Sequence, residues 1–155
     1  MGLLVFGHHP HKNVEASLEL FDWLVKLGWD GELKIIGCCD YIENVVKPLA
    51  QKIDAAEKVL FMGRVTDDQL LALYRESMGL LFQSIYEGFG YPVAEAMSGG
   101  LPVFHSNIPA LVEVAGDAGV VLGDEPLSNA EDVLRVLCDK GKYEKYVSKG
   151  KVNSS

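Results

Sequence analysis

Apolar residues recur along the chain in two rhythms. Leu3 to Phe6, Glu32 to Gly37, Lys58 to Phe61, Gly79 to Phe82, Pro102 to His105 and Gly119 to Leu122 are short runs with the length of buried strands. Between them the spacing turns helical. Val14, Leu18, Phe21, Leu24 and Val25 predict a helix from an Asn13 N-cap to a Gly28 C-cap. Asp40 with Glu43 predicts a second helix, running to about Ala56. Thr66 with Gln69 is a capping box for a third, through about Glu76. Val93, Ala94, Ala96 and Met97 predict a fourth, stopping at Gly99-Gly100. A short helix is expected at Pro109 to Val114. Ser128 with Glu131 is read as a capping box for a helix to about Cys138, with another turn or two at Tyr143 to Lys149. Strands alternating with helices predict an α/β fold: a doubly wound, parallel, six-stranded Rossmann-like sheet with helices on both faces. Ligands of such sheets bind beyond the carboxyl ends of the strands, near the switch point. The loops Gly7–Lys12, Gly37–Asp40, Met62–Val65 and Ser84–Pro92 all fall at that edge.

One of these loops carries more chemistry than the others. Ser84 to Tyr91 runs from a strand through Gly88 and Gly90 into a helix whose first turn holds Pro92, where the missing N–H costs nothing. Free amides and the positive end of the helix dipole then face whatever lies above the loop. Gly88 and Gly90 allow close backbone approach, and Glu87 and Glu95 supply acceptors for hydroxyl groups. The pattern is that of a phosphate cradle, although G-x-G alone has little specificity.

Composition narrows the classes. A chain of 155 residues suits one domain with a sizeable core, expected over 1–150, with a frayed tail at 151–155. The net charge of −8 argues against a general nucleic-acid surface. No apolar run reaches the roughly 18 residues of a membrane helix, and Met1 to Gly7 is too short for a signal peptide. Cys38, Cys39 and Cys138 form no disulfide framework or zinc spacing, and are read as buried or half-buried thiols in a cytoplasmic setting.

The stretch Glu87-Gly88-Phe89-Gly90-Tyr91-Pro92-Val93-Ala94-Glu95-Ala96-Met97 resembles the Glu-x7-Glu signature of retaining glycosyltransferases with the GT-B fold, the large group 1 (family 4-like) class. The flanks match in order: Phe61 to Val65 and Leu70 to Arg75 before it, Gly100 to Val103, Ser106 to Leu111 and Glu113 to Gly119 after it. The resemblance covers roughly residues 3 to 140. It implies the C-terminal, nucleotide-sugar-binding half of a GT-B enzyme, with the N-terminal acceptor domain outside this chain. It implies a UDP-, GDP- or ADP-sugar as donor, no further cofactor and no metal.

Roles follow residue by residue from that resemblance. Lys12 would pair with the donor diphosphate. His8 would stand where the family has an Arg, a weaker phosphate partner than guanidinium. Glu95 would accept from the ribose hydroxyls, and Glu87 would face the sugar and the reaction centre. The amides of Phe89 to Val93 would serve the sugar hydroxyls and distal phosphate, and Gly88, Phe89, Gly90, Tyr91, Pro92 and Val93 would together form the substrate-binding loop. Arg64 and Val65 would hold the nucleobase, largely by backbone. Glu113 would be structural near the cleft. Tyr86 and Phe89 are read as packing residues, and His105 as core or sheet edge.

Other readings compete. A binding module or half-enzyme without turnover is favoured by the His-rich loop and disfavoured by the intact glutamate pair. A nucleotide-sugar epimerase shares the architecture, but its acid–base residues are not recognisable. A dinucleotide-binding domain lacks G-x-G-x-x-G at its first turn. Hydrolysis by Glu87 and Glu95 fits poorly with two carboxylates at a helix start. A metal at His8, His9 and His11 lacks a carboxylate or helical spacing.

Overall fold

The computed structural model describes residues 1–153. Six strands form one sheet: β1 (Gly2–Phe6), β2 (Glu32–Ile36), β3 (Val59–Gly63), β4 (Gly79–Phe82), β5 (Val103–Ser106) and β6 (Val120–Leu122). Their spatial order is β3-β2-β1-β4-β5-β6, and every pairing is parallel. The chain therefore winds outward one way from β1 and the other way from β4. The switch point lies between β1 and β4, which are hydrogen-bonded neighbours.

A parallel sheet must be covered on both faces, and the sequence of β1 shows how. Leu3 and Val5 enter one core with Phe21 and Leu24 of α1 (Val14–Lys26) and Val133 of α6 (Pro126–Leu137). Leu4 and Phe6 enter the other core with Leu73 of α3 (Asp67–Glu76), Val93 and Met97 of α4 (Tyr91–Ser98) and Leu111 of α5 (Pro109–Ala115). Side chains alternate across a strand, so one apolar run anchors both layers. Full burial of each such side chain contributes about 1.5–3 kcal/mol.

The helices follow their caps unevenly. At α3 the Thr66 hydroxyl accepts from the Gln69 amide and the Gln69 side chain returns to the Thr66 amide, completing the expected box. Asn13 precedes α1, but in the left-handed region (φ 53°) and without a side-chain cap; its N–H donates to the Pro10 carbonyl instead. Asn tolerates that backbone better than most residues. The expected helix from Asp40 to Ala56 is not continuous. A π-turn at Ile42–Val46 passes into the short α2 (Lys47–Ala50), and Glu43 pairs with Lys47 rather than capping. Pro48 has no N–H to return to residue 44, so the α-ladder cannot run through it.

Two further expectations change at the C-terminal end. The helix α6 starts at Pro126 with Glu125 as its N-cap, placing Ser128 inside the first turn rather than at the cap. The last helix, α7 (Lys140–Asn153), is longer than the expected turn or two, and the tail expected to fray from 151 is helical through Asn153. The Asn153 side-chain amide donates to the carbonyls of Val114 and Ala115 at 2.9 and 3.3 Å, capping the end of α5. Ser154 and Ser155 lie outside the described residues. Cys38 and Cys138 are exposed and Cys39 half-buried, because all three sit beyond the strand and helix cores.

His105 lies wholly inside, in β5. A Cβ on Gly119 would meet its ring at 2.6 and 2.7 Å and the Ala115 methyl at 2.8 Å. Gly119→Ala should therefore cost about 1–3 kcal/mol through overpacking. Urea denaturation checks this, and an unchanged midpoint would contradict it.

Candidate functional site

The site begins at the switch point. The β1 strand ends at Phe6, and the chain turns through Gly7 to His9 into a single 3₁₀ turn, Pro10–Lys12. The Lys12 amide donates to the His9 carbonyl at 3.0 Å, which directs the lysine back across the sheet edge. Its ammonium lies 4.8 Å from the centre of the Phe82 ring at the end of β4. It ends 2.7 Å from Glu87 Oε2. The two loops are also joined through the backbone, where the Ile85 amide donates to the His11 carbonyl at 2.9 Å.

Lys12 is only 7% exposed. An unpaired ammonium at that depth would be costly, so Glu87 compensates it. His11 Nε2 is 3.6 Å from the same carboxylate oxygen. His9 stacks on His11, with ring centres 5.1 Å apart, and meets His8 edge-on at 5.0 Å. Three imidazoles thus form a run of ring contacts that ends at the Glu87 carboxylate. Burial lowers the His8 pKa from its ordinary 6.5, and Lys12, then the other imidazoles, lower it further. Burial and Lys12 also lower that of His11, with Glu87 opposing them.

On the other side stands the start of α4. Gly90 takes φ 87°, and a Cβ there would sit 2.7 Å from Leu111, so only glycine fits. Pro92 occupies the first turn. The Val93 and Ala94 amides are already donated to the Gly90 carbonyl, at 3.0 and 3.3 Å. Pro92 has no N–H. The amides that lack a backbone acceptor among the described residues are therefore those of Gly88, Phe89, Gly90 and Tyr91, one step earlier than the expected donors ending at Val93.

Glu95 is exposed on α4, where its carboxylate accepts a long hydrogen bond, 3.4 Å, from the buried Tyr74 hydroxyl of α3. Burial and the nearby Glu95 charge push the Tyr74 phenol well above its ordinary range, which keeps it a donor. Glu87 and Glu95 share no partner: one is held by Lys12, the other by Tyr74. Arg64 is exposed and Val65 half-buried, just past the end of β3. Both line a small depression with Met62 and Leu73. Glu113 lies beside Gly88 and Phe89 around a further hollow.

The structure corrects the reading of the aromatics. Tyr86 and Tyr91 are 70% and 68% exposed, and Phe89 is also exposed, so Tyr86 and Phe89 are not packing residues. Tyr86 meets His11 edge-on at 6.4 Å, and Phe89 leans on Tyr91 at 4.7 Å. They ring the loop because Gly88 and Gly90 offer no side chains to cover them. Sequence alone assigns Tyr74 no role, and His11 one only as a metal ligand weighed and set aside. Tyr74 sits in the apolar stripe of α3, and nothing local distinguishes its hydroxyl as a partner of Glu95. Among the described residues no group of three or more His, Cys, Asp or Glu side chains is placed to hold a metal, and no helix is long and apolar enough to cross a membrane.

Residues 5–152 match the model of the family described as glycosyl transferases group 1. The chain belongs to that family. It is 34% identical over 113 residues to O-antigen chain mannosyltransferase B of Escherichia coli, an alignment covering 72% of this chain and 30% of that protein. It is 32% identical over 136 residues to O-antigen chain mannosyltransferase RfbU of Salmonella typhimurium, covering 86% of this chain and 37% of that protein. The chain thus spans about a third of the length of each relative. Its fold matches the C-terminal domain of a glycosyl transferase group 1 family protein (LpcC) from Francisella tularensis, with TM-score 0.83 and 20% identity, over 98% of this chain and 83% of that one. The architecture is that of the C-terminal half of a GT-B glycosyltransferase.

In this group 1 domain the Lys12–Glu87 pair should couple measurably. Glu87→Gln or Lys12→Met alone should each cost about 1–3 kcal/mol, the scale of leaving a buried polar group unsatisfied. The double variant should recover about 1 kcal/mol or more of the summed cost, read from urea denaturation. Strict additivity would contradict the pairing.

The histidine loop gives a prediction in pH. The folded-state pKa values of His8 and His11 lie below the ordinary 6.5, so below that pH the unfolded chain binds more protons than the folded one. Stability contributed by the neutral imidazoles is full above 6.5 and is lost as pH falls through the lowered values. Imidazole NMR titrations of both residues should have midpoints under 6.5. Midpoints above it would contradict the environment described.

Proposed function

We propose that this chain is the donor-binding half of a retaining glycosyltransferase. It would hold a nucleoside-diphosphate sugar and present the sugar to an acceptor bound by an N-terminal GT-B domain. The mannosyltransferase relatives support mannose as the transferred unit. The observation that carries the proposal is the Lys12–Glu87 pair, buried at the switch point against the start of α4.

Glycosyl transfer leaves negative charge on the departing diphosphate while the sugar becomes oxocarbenium-like. Lys12 is the cation paired with the loop that leads into α4, and preorganised charge of this kind stabilises the leaving group without reorganisation. On entry of a diphosphate, its oxygens would compete with Glu87 for the ammonium. Glu87, released from Lys12, would then be available to the sugar. In this reading the Gly88–Tyr91 amides and the α4 dipole complete the anion site. Glu95, oriented by Tyr74, would accept from the ribose hydroxyls. Arg64 and Val65 would border the nucleobase. His8 would add positive charge only when protonated, since its lowered pKa keeps it neutral near pH 7.

A second reading is a nucleotide-sugar-binding module without turnover. It is favoured by the loop His8-His9-Pro10-His11, which lacks a guanidinium beside Lys12. An assay for sugar transfer, with and without an added N-terminal domain, separates the two.

Calorimetry with guanosine and uridine diphosphates tests the donor site. Loss of one charged hydrogen bond costs about 1.5–3 kcal/mol, roughly ten- to a hundredfold in affinity. Lys12→Ala and Glu95→Ala should each show a loss of that size while retaining the wild-type circular dichroism spectrum. Unchanged affinity in both would refute the assignment.

A further inference from the structure

We propose that the cavity beyond the carboxyl ends of β4, β5 and β6 is a subsite for a neutral saccharide, the end of the acceptor glycan that reaches this half from the N-terminal domain in the transfer proposed above. It is separate from the Lys12–Glu87 anion site but shares a wall with it. The cavity has a volume of about 530 Å³, within the ordinary range for small-molecule sites. Loops from all three strands and the first turns of α1 enclose it.

The case rests on polar atoms without partners. Ser84 is 1% exposed and lines the cavity, yet its hydroxyl makes no hydrogen bond among the described residues. Glu15 lines the cavity opposite in sequence, and its Oε1 is likewise buried and unmatched. Their neighbours are satisfied. The Ser17 hydroxyl donates to Gln83 at 3.0 Å, and the Ser106 hydroxyl donates to the Ser84 carbonyl. Buried polar groups are nearly always paired, and leaving one unpaired costs about 1–3 kcal/mol. Two such atoms facing one hollow fit a ligand that supplies both a donor and an acceptor.

The surroundings select the ligand's chemistry. No Lys, Arg or His lines the cavity, whereas Glu15 and Asp124 do, so a phosphate or other anion would be repelled. The described residues offer no group of three metal-ligating side chains, so a bound cation does not fit either. Ile85 and Ile108 add apolar surface beside the amide of Asn107. A neutral sugar meets all of these conditions: its hydroxyls donate to Glu15 and bond Ser84, and its C–H faces lie on the isoleucines.

Position agrees with chemistry. Along the sheet edge the loops run in the order β3, β2, β1, β4, β5, β6. In the donor reading, the nucleobase lies at β3, the diphosphate at β1 and the sugar at β4. The cavity comes next, at the sugar end. The Ile85–His11 backbone bond and the sequence neighbours Lys12–Asn13 form its partition from the ion pair.

The experiment is ¹⁵N NMR of the chain titrated with α-linked mannobiose, in parallel with guanosine diphosphate. Mannobiose should cause saturable shifts at Ser84, Ile85 and Asn107, with guanosine diphosphate already bound or absent. Ser84→Ala and Glu15→Gln should each weaken mannobiose at least fivefold and leave guanosine diphosphate affinity unchanged. A merely structural hydroxyl would give a different result: Ser84→Ala would then alter the melting temperature and not the saccharide. If Ser84→Ala does not fold, Glu15→Gln decides. Absence of saturable shifts, equal saccharide affinity in both variants, or displacement of mannobiose by guanosine diphosphate would overturn the subsite. Failure of guanosine diphosphate alone to bind would count against the donor reading and leave the saccharide result standing.

Discussion

A lysine buried at the switch point must have its charge answered, and much of the functional edge is arranged around that requirement. Lys12 and Glu87 come from loops 75 residues apart, yet they meet at 2.7 Å because β1 and β4 are direct neighbours. The 3₁₀ turn aims the lysine, the Phe82 ring supports its ammonium, and the Ile85–His11 backbone bond fixes the spacing of the loops. A buried pair of this type is not chiefly a source of stability. It keeps a cation in low-dielectric surroundings, compensated by a carboxylate that a stronger anion is able to replace.

Around that pair the fold sorts chemistry by strand. Amides without backbone acceptors gather at the Gly88–Tyr91 loop, where the left-handed turn of Gly90 opens α4. Glu95 is displaced onto the α3–α4 face, where the Tyr74 hydroxyl donates to it. Uncompensated carboxylate and hydroxyl groups lie on the opposite flank, past β4. The protein thus has a compensated lysine between two acidic flanks. In the proposed reading a phosphate takes the place of Glu87 on Lys12, and hydroxyl-bearing groups lie to either side.

The layer architecture was legible because the apolar runs and helical stripes are long and consistent, and all six strands occur where the pattern puts them to within a residue or two. Tertiary context overrode the local signals elsewhere. Pro48 broke the second helix, and Pro126 took over the start of α6 from Ser128. The polar stretch 140–153 became a long helix because it docks on α4, α6 and the end of α5. At the site, the signature put Glu87 and the glycines in the loop before α4 and Glu95 one turn into the helix, where the structure has them. It carried no information on the Lys12–Glu87 contact, which depends on strand order, or on Tyr74, whose hydroxyl is unremarkable within an apolar stripe. The exposed aromatics went unread because hydrophobicity alone assigns them to a core.

The measurement that bears most directly on this account is a crystal structure of the chain with guanosine diphosphate bound. The account predicts the diphosphate beyond β1 and β4, with Lys12 Nζ on a phosphate oxygen rather than on Glu87, at least one Gly88–Tyr91 amide pointing to the phosphates, and Glu95 on the ribose. A nucleotide bound elsewhere, with the Lys12–Glu87 contact intact, would contradict it.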